Sequence, residues 1–198
     1  PMAIITITRQ AGSGGEDIGK AIAEKLGYVY VGKERTFQEL EKHGKKWLDW
    51  GKNLDEHCPT LWEHYDPSFA GFISLVEENI FNYALQDKVV LMGRGAYWLL
   101  RDISHVLRIL IIAPKEARIK RISEREHVNL ETAVRFVEFS DHERSCYLHT
   151  VYRRNWTDPN DYDVMFDTGH LKYDEVVKMI MDEIPARDKQ KTHGAKER

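Results

Sequence analysis

The segment that most restricts the fold is residues 4–27. Ile4-Ile5-Thr6-Ile7-Thr8 is β-branched throughout, Gly12, Ser13, Gly14 and Gly15 follow within a few residues, and Ile18, Ala21, Ile22 and Leu26 then recur at helical spacing before Gly27. The order is strand, glycine loop, helix. Glycines let backbone N–H groups turn inward because no Cβ blocks the approach, and the N-terminus of the next helix adds a partial positive charge, so the unit can cradle an anion such as phosphate. A glycine-rich turn between any strand and any helix would carry similar residues, and the segment alone leaves both readings open.

Against the phosphate-loop spacing G-x-x-x-x-G-K-[ST], Arg9 stands at the first glycine and Gly14 at the second. Gly15 replaces the lysine that reaches the terminal phosphates, and Glu16 replaces the hydroxyl that holds magnesium. Two acids, Glu16 and Asp17, begin the helix, which its dipole favours without any ligand. Beside a bound triphosphate they would repel it unless magnesium lay between, so a carboxylate–magnesium–phosphate bridge is the one catalytic role open to them.

A chain of 198 residues can bury one substantial core. Its net charge of −3 gives no general drive toward nucleic acid or an anionic membrane, so any phosphate binding has to be local. The longest apolar run, residues 106–113, is far shorter than a bilayer, and a cytoplasmic protein is expected. Cys58 and Cys146 are too few for a disulfide framework and read as free thiols. His57, Cys58 and His64 do not have a zinc spacing, and no site built from protein ligands alone is expected for a metal.

Beyond the first helix, strand-like runs at 28–31, 88–92, 106–113 and 163–166 alternate with helical patterns at 33–50, 69–85, 96–101, from Pro114 onward, from Asn129 to about 152, and 173–184. Residues 51–67 lose periodicity and read as an excursion from the core, a candidate clamp or a plain connection. The tail 186–198 is polar and reads as frayed. Alternating strands and helices imply an α/β fold, three layers α/β/α around a mainly parallel sheet, with any site at the carboxyl ends of the strands. Glycines at two such ends, Gly12 and Gly93, point to one open edge.

Several stretches of the chain, in order, resemble the cytidylate kinase-like family. The first strand, loop and helix are similar to those of bacterial cytidylate kinases, Val90-Leu91-Met92-Gly93-Arg94-Gly95 to their glycine–arginine strand end, and Pro114-Lys115-Glu116-Ala117-Arg118-Ile119-Lys120-Arg121 to their arginine-rich lid. Asp141-His142-Glu143-Arg144 resembles their Asp-x-x-Arg element, and Tyr162-Asp163-Val164-Met165-Phe166-Asp167-Thr168 their last strand. The resemblance implies a phosphate-loop nucleoside monophosphate kinase architecture: one domain over 2–185, a clamp-like insertion at about 33–68 and a lid at about 115–155. Three positions depart from the family pattern: Glu16 where the related branch has arginine, Met92 where cytidylate kinases have aspartate, and Gly32 where the branch has aspartate.

Phosphoryl transfer needs charge neutralisation, alignment and exclusion of water rather than covalent chemistry. Arginine suits it, with a planar fork that grips two phosphate oxygens. The resemblance implies ATP with Mg2+ as donor and CMP or a similar nucleotide as acceptor. It implies that Arg94 and Arg144 hold the acceptor's phosphate, that Asp141 holds its sugar or orients an arginine, and that Arg118 and Arg121 close over the transferring group. Arg9, Arg118 and Arg121 are therefore the catalytic candidates, and Gly12, Ser13, Gly14, Gly15, Glu16, Asp17, Arg94, Asp141 and Arg144 the nucleotide- and phosphate-binding ones, with magnesium possible at Glu16 or Asp17. Surface ion pairs within the helix, Arg118 with Glu116 or Glu124, are the alternative for the lid arginines. The alternative for the whole chain is a nucleotide- or anion-binding protein of the same fold that has lost transfer.

Overall fold

The computed structural model describes residues 3–45, 47 and 56–194. Strand β1 (Ile4–Arg9) runs through the centre of a five-stranded sheet of order β2-β3-β1-β4-β5, where β2 is Val29–Val31, β3 Val89–Met92, β4 Val106–Ile112 and β5 Val164–Asp167. All the neighbouring pairs are parallel. Successive side chains of a strand point to opposite faces, and β1 uses both. Ile5 and Ile7 pack with Val90, Met92, Leu107 and Ile109 against helix α1 (Gly15–Leu26) and the C-terminal helix α8 (Tyr173–Gly194), through Ile18, Ile22, Val176 and Ile180. Ile4 packs on the other face with Val89, Leu91 and Val106 against Phe72, Val76 and Ile80 of helix α4 (Pro67–Gln86). The result is the expected α/β/α stack.

Helix α2 is Lys33–Lys42, α3 is Leu61–Tyr65, α5 is Ala96–Leu99, α6 is Lys115–Glu126 and α7 is Leu130–Tyr152. Sequence signals account for several of these boundaries. Asp66 caps α4, accepting from the Ser68 N–H at 2.8 Å, with Pro67 in the first turn. Asn129 caps α7, accepting from the Thr132 N–H at 2.8 Å. Gly27 ends α1 in the left-handed conformation, φ 66°.

The structure corrects three expectations. Helix α2 stops at Lys42 rather than running to 50, and of that stretch Leu48 and Trp50 lie outside the described residues, as do 51–55 of the irregular excursion. The polar tail is helical to Gly194: α8, packed through buried residues up to Ile184, continues past Pro185 even though proline has no N–H to donate to the preceding turn. Cys58 and Cys146 are not free thiols but a disulfide, because the excursion folds back over α7 and brings their Cα atoms to 5.1 Å across a sequence separation of 88. Among the described residues no helix is long and apolar enough to cross a membrane.

Strand register determines where the two glycine turns meet. Ile7 pairs with Met92, and the Gly93 N–H donates to the Ile7 carbonyl at 2.9 Å, so the turns after β1 and β3 leave the sheet side by side.

Candidate active site

The loop after β1 is pinned at both ends. The Gln10 N–H donates to Ile111 O at 3.0 Å, the Gln10 side-chain oxygen accepts from Ala113 N–H at 3.0 Å, and Ser13 closes a turn through N–H and Oγ bonds to Gln10 O at 3.1 and 2.8 Å. Gly12 and Gly14 both have positive φ, 78° and 86°, and Gly14 precedes the first turn of α1. A Cβ on Gly12 would lie 2.7 Å from the Arg118 backbone carbonyl, which cannot yield, whereas one on Gly14 would fall 2.1 Å from the Tyr173 ring and force that side chain aside.

Two arginines of α6 act on this loop. Arg118 is buried; its Nε donates to Ala113 O at 3.0 Å and its Nη1 to Ala11 O at 3.1 Å and to Asp141 Oδ2 at 2.7 Å. The other oxygen of Asp141 accepts from the Ala11 N–H at 3.1 Å. Arg121 donates to Gly12 O at 3.3 Å and to Thr168 Oγ1 and O at 2.9 and 2.7 Å, and Thr168 Oγ1 donates to Ser13 O at 2.7 Å. Three carbonyls of the loop are therefore drawn outward by side chains from α6 and from the turn after β5. Arg118 pairs with Asp141 and backbone rather than with Glu116 or Glu124, the alternative its own helix offered.

Across the loop lies a second charged cluster, centred on a residue that sequence reasoning missed. Glu56 is buried at 2 % exposure and has φ 51°. Its Oε2 accepts from Arg144 Nε at 2.5 Å and lies 3.6 Å from Arg9 Nη1, while Oε1 accepts from the Arg94 backbone N–H at 2.7 Å. Burial pushes the Glu56 carboxyl up, but Arg144 and Arg9, with the Arg94 N–H, outweigh it and hold the group at about 2. Arg9 also donates to Glu16 Oε1 at 3.1 Å. Gly93, Arg94 and Gly95 all have positive φ, a backbone turn that presents its N–H to an anion.

A cleft of about 390 Å3 opens between these clusters, lined by the glycine loop together with Arg9, Arg144, Lys33 and Arg125. A second hollow, about 360 Å3, lies between Arg121, Glu124 and Tyr173, and the two share Gly12, Gly14, Asp17 and Arg125. Of the residues singled out in the sequence, Arg9, Gly12, Gly14, Gly15, Glu16, Asp17 and Arg144 line the larger cleft. Arg121 lines the second hollow, whereas Ser13, Arg118 and Asp141 stand behind the loop and fix its shape. Arg94 is buried, and its N–H reaches the site through Glu56.

Lys33, His57, Phe136, Phe139 and Glu143 complete the cleft and were not assigned to binding from the sequence. Their helical spacing marks Phe136, Phe139 and Glu143 only as one face of α7, and nothing in the irregular stretch sets Glu56 or His57 apart. His57 Nδ1 is 2.8 Å from Glu143 Oε2 and its Nε2 3.3 Å from Glu63 Oε2, and Cys58 is in the disulfide. Among the described residues no three His, Cys, Asp or Glu side chains gather as a metal site.

Residues 4–170 match the cytidylate kinase-like family. The chain belongs to that family. It is 29 % identical to the cytidylate kinase of Methanocaldococcus jannaschii over 180 residues, 89 % of this chain and 94 % of that protein. It is 27 % identical to the cytidylate kinase of Pyrobaculum islandicum, over 92 % of this chain and 93 % of that protein. Among solved structures, an uncharacterized protein from Eubacterium ventriosum superposes with a TM-score of 0.75 at 23 % identity, covering 93 % of this chain and 99 % of that one. A shikimate kinase from Bacteroides thetaiotaomicron superposes with a TM-score of 0.58 at 15 % identity, covering 93 % and 99 %. These likenesses show a kinase fold, in which the glycine loop follows the first strand, β1.

Proposed function

We propose that this cytidylate kinase-like protein transfers the terminal phosphoryl group of Mg-ATP to CMP or a closely related nucleoside monophosphate. The observation that carries the reading is the pair of hollows meeting at Gly12, Gly14, Asp17 and Arg125, so that two ligands entering from opposite sides would bring their phosphates together on the glycine loop. The donor belongs in the hollow beside Tyr173, whose ring covers Gly14 and lies 5.5 Å from the Arg121 guanidinium. The acceptor belongs in the larger cleft, with Arg144 and the Arg94 turn at its inner end.

In this reading the loop lacks its usual lysine; the lysine and arginine side chains lining the larger cleft are Arg9, Lys33, Arg125 and Arg144, of which Arg125 also lines the second hollow. Arg118 and Arg121 position the loop by holding its carbonyls outward, which turns neighbouring amides toward the cleft; Asp141 braces it through Ala11. Magnesium arrives with the triphosphate and needs only one or two carboxylates from protein. Glu16 and Asp17, at the rim of the cleft, fit that requirement, Asp17 reaching both hollows.

The competing reading, binding without transfer, is favoured by one observation: Glu16 Oε1 already pairs with Arg9, lowering the positive charge under the loop. Incubation with ATP, magnesium and CMP, dCMP, UMP or AMP separates the two. Diphosphate formation with CMP or dCMP supports the kinase; nucleotide binding with no product from any acceptor supports the competitor.

A further inference from the structure

We propose that the Glu56 carboxylate is a tethered stand-in for the acceptor's phosphate: it fills an anion site made by Arg9, the Arg94 N–H and Arg144, and a phosphorylated acceptor binds by displacing it. The proposal rests on the acceptor reading above and adds to it a segment that has to move.

The chemistry and placement of the site support displacement over a permanent wall. The donors around Glu56 are those that bind phosphate well: guanidinium groups and an N–H at a positive-φ turn, with both carboxylate oxygens engaged. A carboxylate offers two oxygens and one charge, whereas a phosphate monoester offers three oxygens and up to two charges. One donor remains for that third oxygen: Arg144 Nη1 is buried without a hydrogen bond, its carboxylate neighbour Asp141 lying at 3.8 Å. Arg144 lines the cleft through which an acceptor would arrive.

Glu56 itself is held in a conformation that L side chains rarely adopt, φ 51°, so withdrawal relieves backbone strain as well as breaking an ion pair. Its anchor lies close by. The Cys58 N–H donates to Glu143 Oε2 at 2.9 Å and the Cys58 sulfur is bonded to Cys146 on α7. The two peptide units from Glu56 through His57 to Cys58 span about 7 Å when extended, enough to swing a carboxylate out of the arginines while the disulfide keeps the strap in place. A tethered competitor of this kind lowers apparent affinity by the fraction of molecules in which it is seated.

The test follows the strap in the intact, oxidised chain. Amide hydrogen exchange of the peptide spanning residues 56–60 is measured alone, with orthophosphate and with CMP, and calorimetry compares orthophosphate binding by wild type and Glu56→Gln. Displacement predicts that orthophosphate and CMP each speed exchange in the strap. It also predicts that Glu56→Gln exchanges fast without ligand and binds orthophosphate at least about tenfold more tightly. Exchange that stays the same or slows under conditions saturating the variant, or a folded variant with unchanged or weaker binding, overturns the proposal. If Glu56→Gln fails to fold, the wild-type exchange decides alone. Release by orthophosphate without release by CMP keeps the stand-in and removes the nucleotide acceptor. Turnover of CMP with an unmoved strap keeps the acceptor and removes the stand-in.

Discussion

Two regions of the site use arginines in opposite ways. Around the glycine loop, Arg118 and Arg121 bond mainly to backbone carbonyls, each from a helix already packed into the fold. On the strap side, Arg144 and Arg9 converge on one side chain, Glu56, carried by a segment whose few anchors are a capped short helix, a histidine between two glutamates and a disulfide. A guanidinium that holds backbone fixes a shape. One that holds a lone carboxylate can exchange it for another anion. The contrast separates a rigid half that shapes the glycine loop from a half held by one carboxylate, which under the proposed function would receive the acceptor.

Breaking the rigid half should cost most. Arg118→Ala leaves Asp141 facing the loop without its closest cation and frees two carbonyls, Ala113 and Ala11, so unfolding free energy in urea should fall by about 3–5 kcal/mol, with transfer activity lost at temperatures where the variant is still folded. Lysine should not restore it, because a single ammonium cannot reproduce the three-way fork. A variant of near wild-type stability would show that the loop keeps its shape without Arg118.

The half held by Glu56 should reveal itself through acid. Glu56 has a folded pKa of about 2 against an ordinary value of 4.5, so its ionised form stabilises the fold fully above about pH 4.5, and that contribution is lost as pH falls through about 2. The shift corresponds to about 3 kcal/mol. Thermal melts of wild type and Glu56→Gln from neutral pH to pH 2 should therefore converge at the acid end. A constant gap between them would assign the stabilisation to something other than the charge.

These two regions also differ in how far sequence could reach them. The glycine loop, Arg94, Arg118, Asp141 and Arg144 each sit in a recognisable local pattern, a strand end or a helix face, and periodicity places such elements in the right order. Their pairings were not accessible in that way: Arg118 had Glu116 and Glu124 on its own helix, yet its partner is 23 residues away on α7. Glu56 was invisible for a stronger reason. It lies in an aperiodic stretch with no regular element to aim it, and its burial arises only because the chain folds back over α7. The disulfide has the same origin, since a separation of 88 residues has no local signature.

That shared origin yields the next effect in size. Replacing both Cys58 and Cys146 by serine should lower stability by about 2–4 kcal/mol, through the entropy of the unlinked unfolded chain. The loosening should be local. Hydrogen exchange should rise in residues 56–65 and along the middle of α7 while the strands around the glycine loop stay protected. Loosening that spread into β1 and α1 would mean the two halves are mechanically one.

The smallest effect sharpens the comparison inside the rigid half, using two glycines of similar backbone and different surroundings. Gly27 has φ 66° and nothing within 4 Å of an added Cβ, so Gly27→Ala should cost about 1 kcal/mol in stability, purely from the left-handed conformation, and leave turnover untouched. Gly14 has φ 86°, so its alanine variant pays a similar backbone cost; in addition its Cβ would occupy the space of the Tyr173 ring, 2.1 Å away. That ring is displaced more easily than the strand beneath it, so stability should fall only a little further than for Gly27→Ala. The surplus should appear instead as a raised KM for ATP with a smaller change in that for the acceptor. Equal rises for both substrates would place Tyr173 over the shared junction rather than on the donor's side of it.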